Sequence, residues 1–207
     1  LSIFNRFMPV SEVSGHRLLM GLPYNQYVRA ELELGKVLRF GANEGHAVAM
    51  RLDMGIGHAY GNSTALPFEK QFYAGGSSSM RGWQVRTLGP GFSAIDNSFV
   101  IPSQTGDVKL EANLEYRFDL FWKLEGALFA DVGNVWRMNE INHDFLQSIA
   151  GDWGVGLRVN LDFILLRIDA GFKVHDPSRP SGQRWLRPAE WVGHDGYAIH
   201  FGVGYPF

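Results

Sequence analysis

Arg81 stands alone among glycines and serines, in the run Gln71-Phe72-Tyr73-Ala74-Gly75-Gly76-Ser77-Ser78-Ser79-Met80-Arg81-Gly82-Trp83. Its guanidinium presents a planar fork of donors that fits a carboxylate. Glycine lets the surrounding backbone take angles other residues avoid and thread a confined space. The chemistry on offer is an ionic clasp, not bond making. A phosphate-binding loop would need Gly-Lys-Ser/Thr after the glycines, and a nucleophile elbow would need Gly-x-Ser-x-Gly, which fails at Ser79. His16, His46, His58, His143, His175, His194 and His200 show no metal-ligand spacing of the His-Glu-x-x-His kind. Most of them are expected in loops and at interfaces. No metal, no cofactor and no enzymatic activity are expected.

A clasp needs a wall that presents carboxylates, and the flanking segments supply one. Residues 108–120 alternate without a fault. Val108, Leu110, Ala112, Leu114, Tyr116, Phe118 and Leu120 share one face, and Lys109, Glu111, Asn113, Glu115, Arg117 and Asp119 the other. A period of two is a strand. Residues 122–136 repeat the pattern, with Trp122, Leu124, Leu128, Ala130, Val132 and Trp136 outward and Lys123, Glu125, Phe129 and Asp131 inward. Segments 27–40, 46–60, 149–161, 164–174 and 197–207 follow suit. The last groups Tyr197, Ile199, Phe201, Val203, Tyr205 and Phe207 on one face. Both Glu115 and Asp131 fall on inward faces by parity alone. Asp152, Asp169 and Arg158, also charged and strand-borne, are read with Asp162 as members of mutual networks in water.

These strands of roughly ten to fifteen residues exceed the ~5–6 usual in soluble sheets, and when tilted they cross a bilayer. Trp122 and Trp136 lie outward at opposite ends of one strand, where interfacial aromatic girdles belong. Connections alternate in length. Residues 41–45, Phe121 and 162–163 read as tight turns, and 61–107, 137–148 and 175–196 as long loops, the habit of an outer-membrane barrel with its short turns in the periplasm. A soluble β-sandwich would have shorter strands and an apolar inward face. Composition is a little poor in charge and rich in aromatics for a soluble domain, and decides no compartment. Charged residues make up 19% and aromatics 14%, the net charge is −2, and there is no cysteine. No basic stripe invites nucleic acid. Mean hydropathy of −0.11 hides membrane strands, because their two faces average out.

Residues 1–26 alternate poorly and read as a loop or strand remnant. No signal-peptide pattern opens the chain, which is expected to be a mature form, a fragment, or the ordered part of something longer. Seven strands leave an open edge that lipid penalises by several kcal/mol per unpaired group. Upstream strands of the same sheet are therefore expected.

The motifs together resemble the BamA/TamA superfamily of outer-membrane assembly and translocation barrels, the bacterial surface antigen type. Leu66-Pro67-Phe68-Glu69-Lys70, Gly75-Gly76, Arg81-Gly82-Trp83 and Leu88-Gly89-Pro90-Gly91 are similar to its sixth extracellular loop. Phe129-Ala130-Asp131-Val132-Gly133 matches its Phe-x-Asp-x-Gly strand, Glu115 a glutamate one strand earlier, and Phe207 its terminal aromatic signal. Gly204 matches a glycine at which the last strand can kink. The wording is nearest the TamL branch, with BamA the near alternative. Trp83 departs conservatively from Phe or Tyr, and Pro206 sits in the last strand, where it removes a ladder donor.

The resemblance implies residues 27–207 as the C-terminal half of an all-β barrel of sixteen strands in a Gram-negative outer membrane, with loop 61–107 folded into the lumen. It implies a lock of Arg81 on Asp131 and Glu115, with Gly75, Gly76 and Gly82 packed against the wall. It implies a weak seam along Phe201, Val203, Gly204, Tyr205 and Phe207. The function implied is insertion or translocation of client outer-membrane or secreted proteins. The partners are outer-membrane lipids, those clients, and periplasmic or TamB-like proteins docking through POTRA domains outside this chain. The alternatives are a passive porin-like channel and a barrel whose upstream part carries an enzyme.

Overall fold

The computed structural model describes residues 18–19, 22–41, 44–94, 104–141, 144–193 and 195–207. Most of residues 1–26, together with His16, His143 and His194, lies outside these. The ribbon of β1 (Leu18–Leu19) and β2 (Leu22–Pro23) precedes the main sheet. That sheet holds β3 (Tyr27–Phe40), β4 (His46–Ala59), β5 (Val108–Phe121), β6 (Leu124–Trp136), β7 (Ala150–Asn160), β8 (Leu165–His175) and β9 (Tyr197–Val203). The seven strands pair antiparallel in chain order. No helix among the described residues is long and apolar enough to cross a membrane.

The sheet is inverted relative to a soluble one. On β5 the polar face is buried, with Glu111 and Glu115 fully enclosed, while Leu114 on the opposite face is 49% exposed. Leu128, Val132, Val155, Leu157 and Ile168 continue this exposed apolar face across β6, β7 and β8. So broad an apolar surface is unstable in water and suits a hydrocarbon solvent.

The sheet also curls. Arg81 alone reaches Glu115 on β5 with its guanidinium and His200 on β9 with its carbonyl. In a flat sheet those strands would lie about 19 Å apart, at four inter-strand spacings. The polar face is therefore concave, and the segment around Arg81 fills it.

Three expectations need correction. The turn after β5 is Trp122-Lys123, not Phe121: β5 runs through Phe121, and Trp122 takes a positive φ of 54°. Trp122 is exposed, but Trp136 is not an interfacial girdle residue. Its ring packs 4.4 Å from Phe145 and its Nε1 donates to Ser148 Oγ at 2.7 Å, so the following loop covers it. Periodicity gives a side chain's direction but not what a later segment lays over it.

The third concerns the C-terminus, because β9 ends at Val203. Gly204 has φ +80° and its N–H donates to Leu165 O at 2.8 Å. That left-handed residue turns the chain off the strand. Tyr205 and Phe207 thus leave the outer face that Phe201 and Val203 share, and turn to the concave side.

Candidate functional site

Loop residues 66–91 form a compact body with an apolar centre of their own. Phe72, Ala74, Met80, Trp83 and Leu88 cluster with Val135 and Ala150 of the wall. Reciprocal backbone bonds of 2.8 Å join Phe72 to Gly106, and Gly76 N–H donates to Trp83 O at 2.9 Å. Gly75 and Gly76 take φ of +97° and +105°. A Cβ on Gly75 would strike Gln84 O, and one on Gly76 would lie 2.7 Å from Val85 Cγ2. The expectation that they pack on the wall is corrected: they fold the loop on itself. Gly82 does meet the wall, where a Cβ would stand 2.7 Å from Asp152 Cβ.

This fold delivers Arg81 to the inner face with no exposure to solvent. Nε and Nη2 donate to Asp131 Oδ2 and Oδ1 at 2.8 and 2.9 Å, and the Arg81 backbone N–H adds a third bond at 3.2 Å. Nη1 donates to Glu115 Oε2. The guanidinium carbon lies 3.6 Å from the centroid of the Phe129 ring. The structure thus brings together Arg81, Glu115, Phe129 and Asp131, four residues from three separately read motifs. Gly133 sits two residues further along β6, where a Cβ would crowd Glu111 Cα at 2.8 Å. Register explains the convergence. Glu115 faces Phe129 across β5–β6, and Asn113 faces Asp131, so the carboxylates are diagonal neighbours on one face.

The wall makes room for the loop backbone by omitting side chains. A Cβ on Gly171 of β8 would overlap the Arg81 carbonyl oxygen, and one on Gly154 of β7 would overlap the Phe129 ring. Three wall residues then hold the loop directly. Arg167 donates to Ser77 O at 2.7 Å and to Ser78 Oγ at 3.2 Å. Ser79 Oγ donates to Glu111 Oε1 at 2.5 Å, and Asn113 Nδ2 bridges Ser79 O and Asp131 Oδ1, each at 2.9 Å.

Sequence reading missed several participants. Arg117 and Arg158 also grip Glu115, at 2.6 and 2.9 Å, and Arg158 reaches Asp169 at 3.3 Å. Arg158 and Asp169 are fully buried, so their network is sealed under the loop instead of lying in water. Asp152 is buried beneath Gly82, and only Asp162, in the β7–β8 turn, is an exposed partner, to Lys123. His200, expected in a loop or interface, is buried on β9 with Nε2 3.0 Å from Arg81 O. The alternation of Ala198, His200 and Gly202 on the inward face was the signal available for it.

The inturned tail reaches the same cluster. Arg117 Nη2 donates to Phe207 O at 3.1 Å, and the Phe207 ring lies 5.3 Å from the guanidinium of Arg51 and 5.7 Å from that of Arg81. Tyr205 lies under Arg117 at 4.2 Å and donates to Glu125 Oε2 at 2.9 Å. Loop, wall and final strand therefore meet in one buried ionic assembly. Losing one member of a buried pair costs about 3–5 kcal/mol, because its partner stays behind as an unpaired charge. The assembly holds surfaces together. Among the described residues no group of His, Asp or Glu forms a metal site.

Comparison with known proteins agrees with this architecture. The Omp85 superfamily domain model matches residues 17–207. The outer membrane protein assembly factor BamA of Neisseria meningitidis serogroup B is 34% identical over 89 residues, which is 41% of this chain and 11% of that protein. The crystal structure of BamA from Haemophilus ducreyi lacking POTRA domains 1–3 superposes with a TM-score of 0.60 at 15% identity, covering 86% of this chain and 35% of the other. The chain thus spans a minor part of either relative.

Proposed function

This chain belongs to the Omp85 superfamily of the Gram-negative outer membrane, and on that premise we propose that it is the C-terminal part of a barrel that inserts or translocates other proteins. Upstream strands complete the cylinder, and β9 meets the first of them at a seam. In this reading the Arg81 assembly is structural. It fixes the long loop inside the lumen and stiffens β5–β8, so that opening is confined to β9. An opened seam exposes unpaired backbone that can template an incoming strand by β-augmentation. The clients are outer-membrane or secreted proteins, and periplasmic partners would dock through domains outside this chain.

The observation that carries this reading is the shortness of β9. It spans 7 residues where β5 spans 14. At ~3.4 Å per residue and a ~40° tilt, those lengths reach about 18 Å and about 36 Å along the membrane normal, against an apolar band of ~25 Å. A strand too short for the band leaves a weak seam beside thinned lipid, where insertion is easier. A filled lumen also disfavours passive diffusion.

A photoreactive phenylalanine analogue at Phe201, which is 76% exposed beside the seam, tests the proposal in cells. Nascent barrel proteins are expected in its adducts and not in those of a probe at Leu157. A complete lack of client adducts at Phe201, with the barrel folded and abundant, would count against an assembly role.

A further inference from the structure

A groove of about 840 Å³ opens on the outer face of β6 and β7, and its lining includes Asp152. It climbs from the apolar face of β6 and β7 to the long loops beyond their ends. Its lower part is Ala130, Val132 and Trp153, and Leu146 forms one upper flank. Arg184 and Trp185 stand at the top. It lies in the middle of the sheet, where the upstream strands that would join at β3 do not cover it.

The groove is graded in polarity. Its lower wall continues the exposed apolar belt: Val132 is 48% exposed and shares the outward parity of Leu128. Trp153 belongs to an aromatic group with Phe172 and Trp191, at ring separations of 5.6 and 5.3 Å. Such rings mark the level where hydrocarbon gives way to headgroups. Trp185, 72% exposed, stands beyond them, bridged to the end of β8 at His175. Arg184 shares that level. Its Nε donates to Arg179 O at 3.3 Å and its guanidinium lies over Phe92 at 4.2 Å. Among the described residues no carboxylate pairs with it. Its terminal nitrogens remain for an anion, and a guanidinium suits a phosphate.

We propose that this groove is a binding site for one anionic, phosphate-headed lipid of the outer leaflet, with an acyl chain along Ala130, Val132 and Trp153 and its phosphate at Arg184. A polypeptide occupant would require backbone partners, and the lower trough is walled by apolar side chains continuous with the lipid-facing surface. The inference needs only the membrane setting. It stands or falls separately from the assembly role.

The test uses the full-length protein in nanodiscs of equal parts dimyristoylphosphatidic acid and dimyristoylphosphatidylcholine. Lipids retained after detergent release are counted by native mass spectrometry. The wild type is expected to hold one phosphatidic acid in preference to phosphatidylcholine by tenfold or more. Arg184→Glu should abolish the preference and Arg184→Lys should keep part of it. Val132→Trp, which fills the trough, should remove the bound lipid, whereas Leu157→Trp on the same face outside the groove should not. Equal retention of the two lipids by the wild type would overturn the proposal. So would unchanged retention in both folded variants, Arg184→Glu and Val132→Trp, or a stoichiometric polypeptide in place of lipid.

Discussion

Along β5 and β6, strands of 14 and 13 residues pair with an inner face sealed by the loop. At β9 only 7 residues pair before Gly204 turns the chain inward. Both regions follow the same alternation of apolar and polar residues. They differ in what covers the inner face and how far the ladder runs. The wall gains a loop with its own apolar cluster and a buried set of ion pairs. The edge gains one histidine bond to the loop and a tail that leaves the ladder for Arg117 and Glu125 of the wall. If β9 is the side that opens, as proposed, contacts concentrated on β5–β8 are the distribution such a barrel needs.

Substitutions can break this contrast, and the largest effect is expected at the clasp. Arg81→Ala strands Asp131 and Glu115 in a buried site and should cost about 3–5 kcal/mol. Limited proteolysis of the folded barrel should then cleave within residues 75–91, which the wild type protects. Undiminished protection would show that the loop is held by other contacts.

The wall glycines sharpen the contrast without touching a charge. Gly171→Val intrudes on the Arg81 carbonyl, and overpacking of this kind costs about 1–3 kcal/mol. Gly151→Val on the outer face of β7, where the nearest atom to a Cβ is 3.9 Å away, should be near neutral. Thermal unfolding of the two variants in the same detergent separates them, and equal midpoints would remove the wall's claim to fit the loop.

At the edge, Gly204→Val places a side chain at φ +80°, where strain of about 1–2 kcal/mol is expected. The tail should straighten and carry Phe207 away from Arg51 and Arg117, with the clasp intact. Spin-label distances from residue 207 to β5 would lengthen while loop protection stays unchanged. Among the destabilising variants His200→Ala should have the smallest effect, about 1 kcal/mol for one lost hydrogen bond, read as modest acceleration of amide exchange in β9.

Much of this was legible in the residues. Strict period-two alternation placed all seven strands to within a few positions, because one slip would turn every apolar residue of a strand to the wrong face. Parity placed Glu115 and Asp131 inward before any contact was known. What alternation does not encode is tertiary cover. Trp136 has the outward direction of a girdle residue, yet Phe145 and Ser148 bury it. Arg117, Arg158 and His200 carry the inward parity of many hydrated charges, and only the seating of the loop makes them members of one assembly. Gly75 and Gly76 were legible as special backbone positions, but their packing partners, Gln84 and Val85, are set by how the loop closes. Phe207 was misplaced because one left-handed glycine ends the period that precedes it.

The most direct test of the central claim is a double-mutant cycle on Arg81→Ala and Asp131→Ala in the full-length barrel, with unfolding free energies measured in lipid. If the two groups grip each other in a buried site, the double variant should be no less stable than the worse single one, so that the coupling is at least the smaller single loss, about 3 kcal/mol. Strictly additive losses would mean that arginine and aspartate act independently, and the account of a loop clasped to its wall would be wrong.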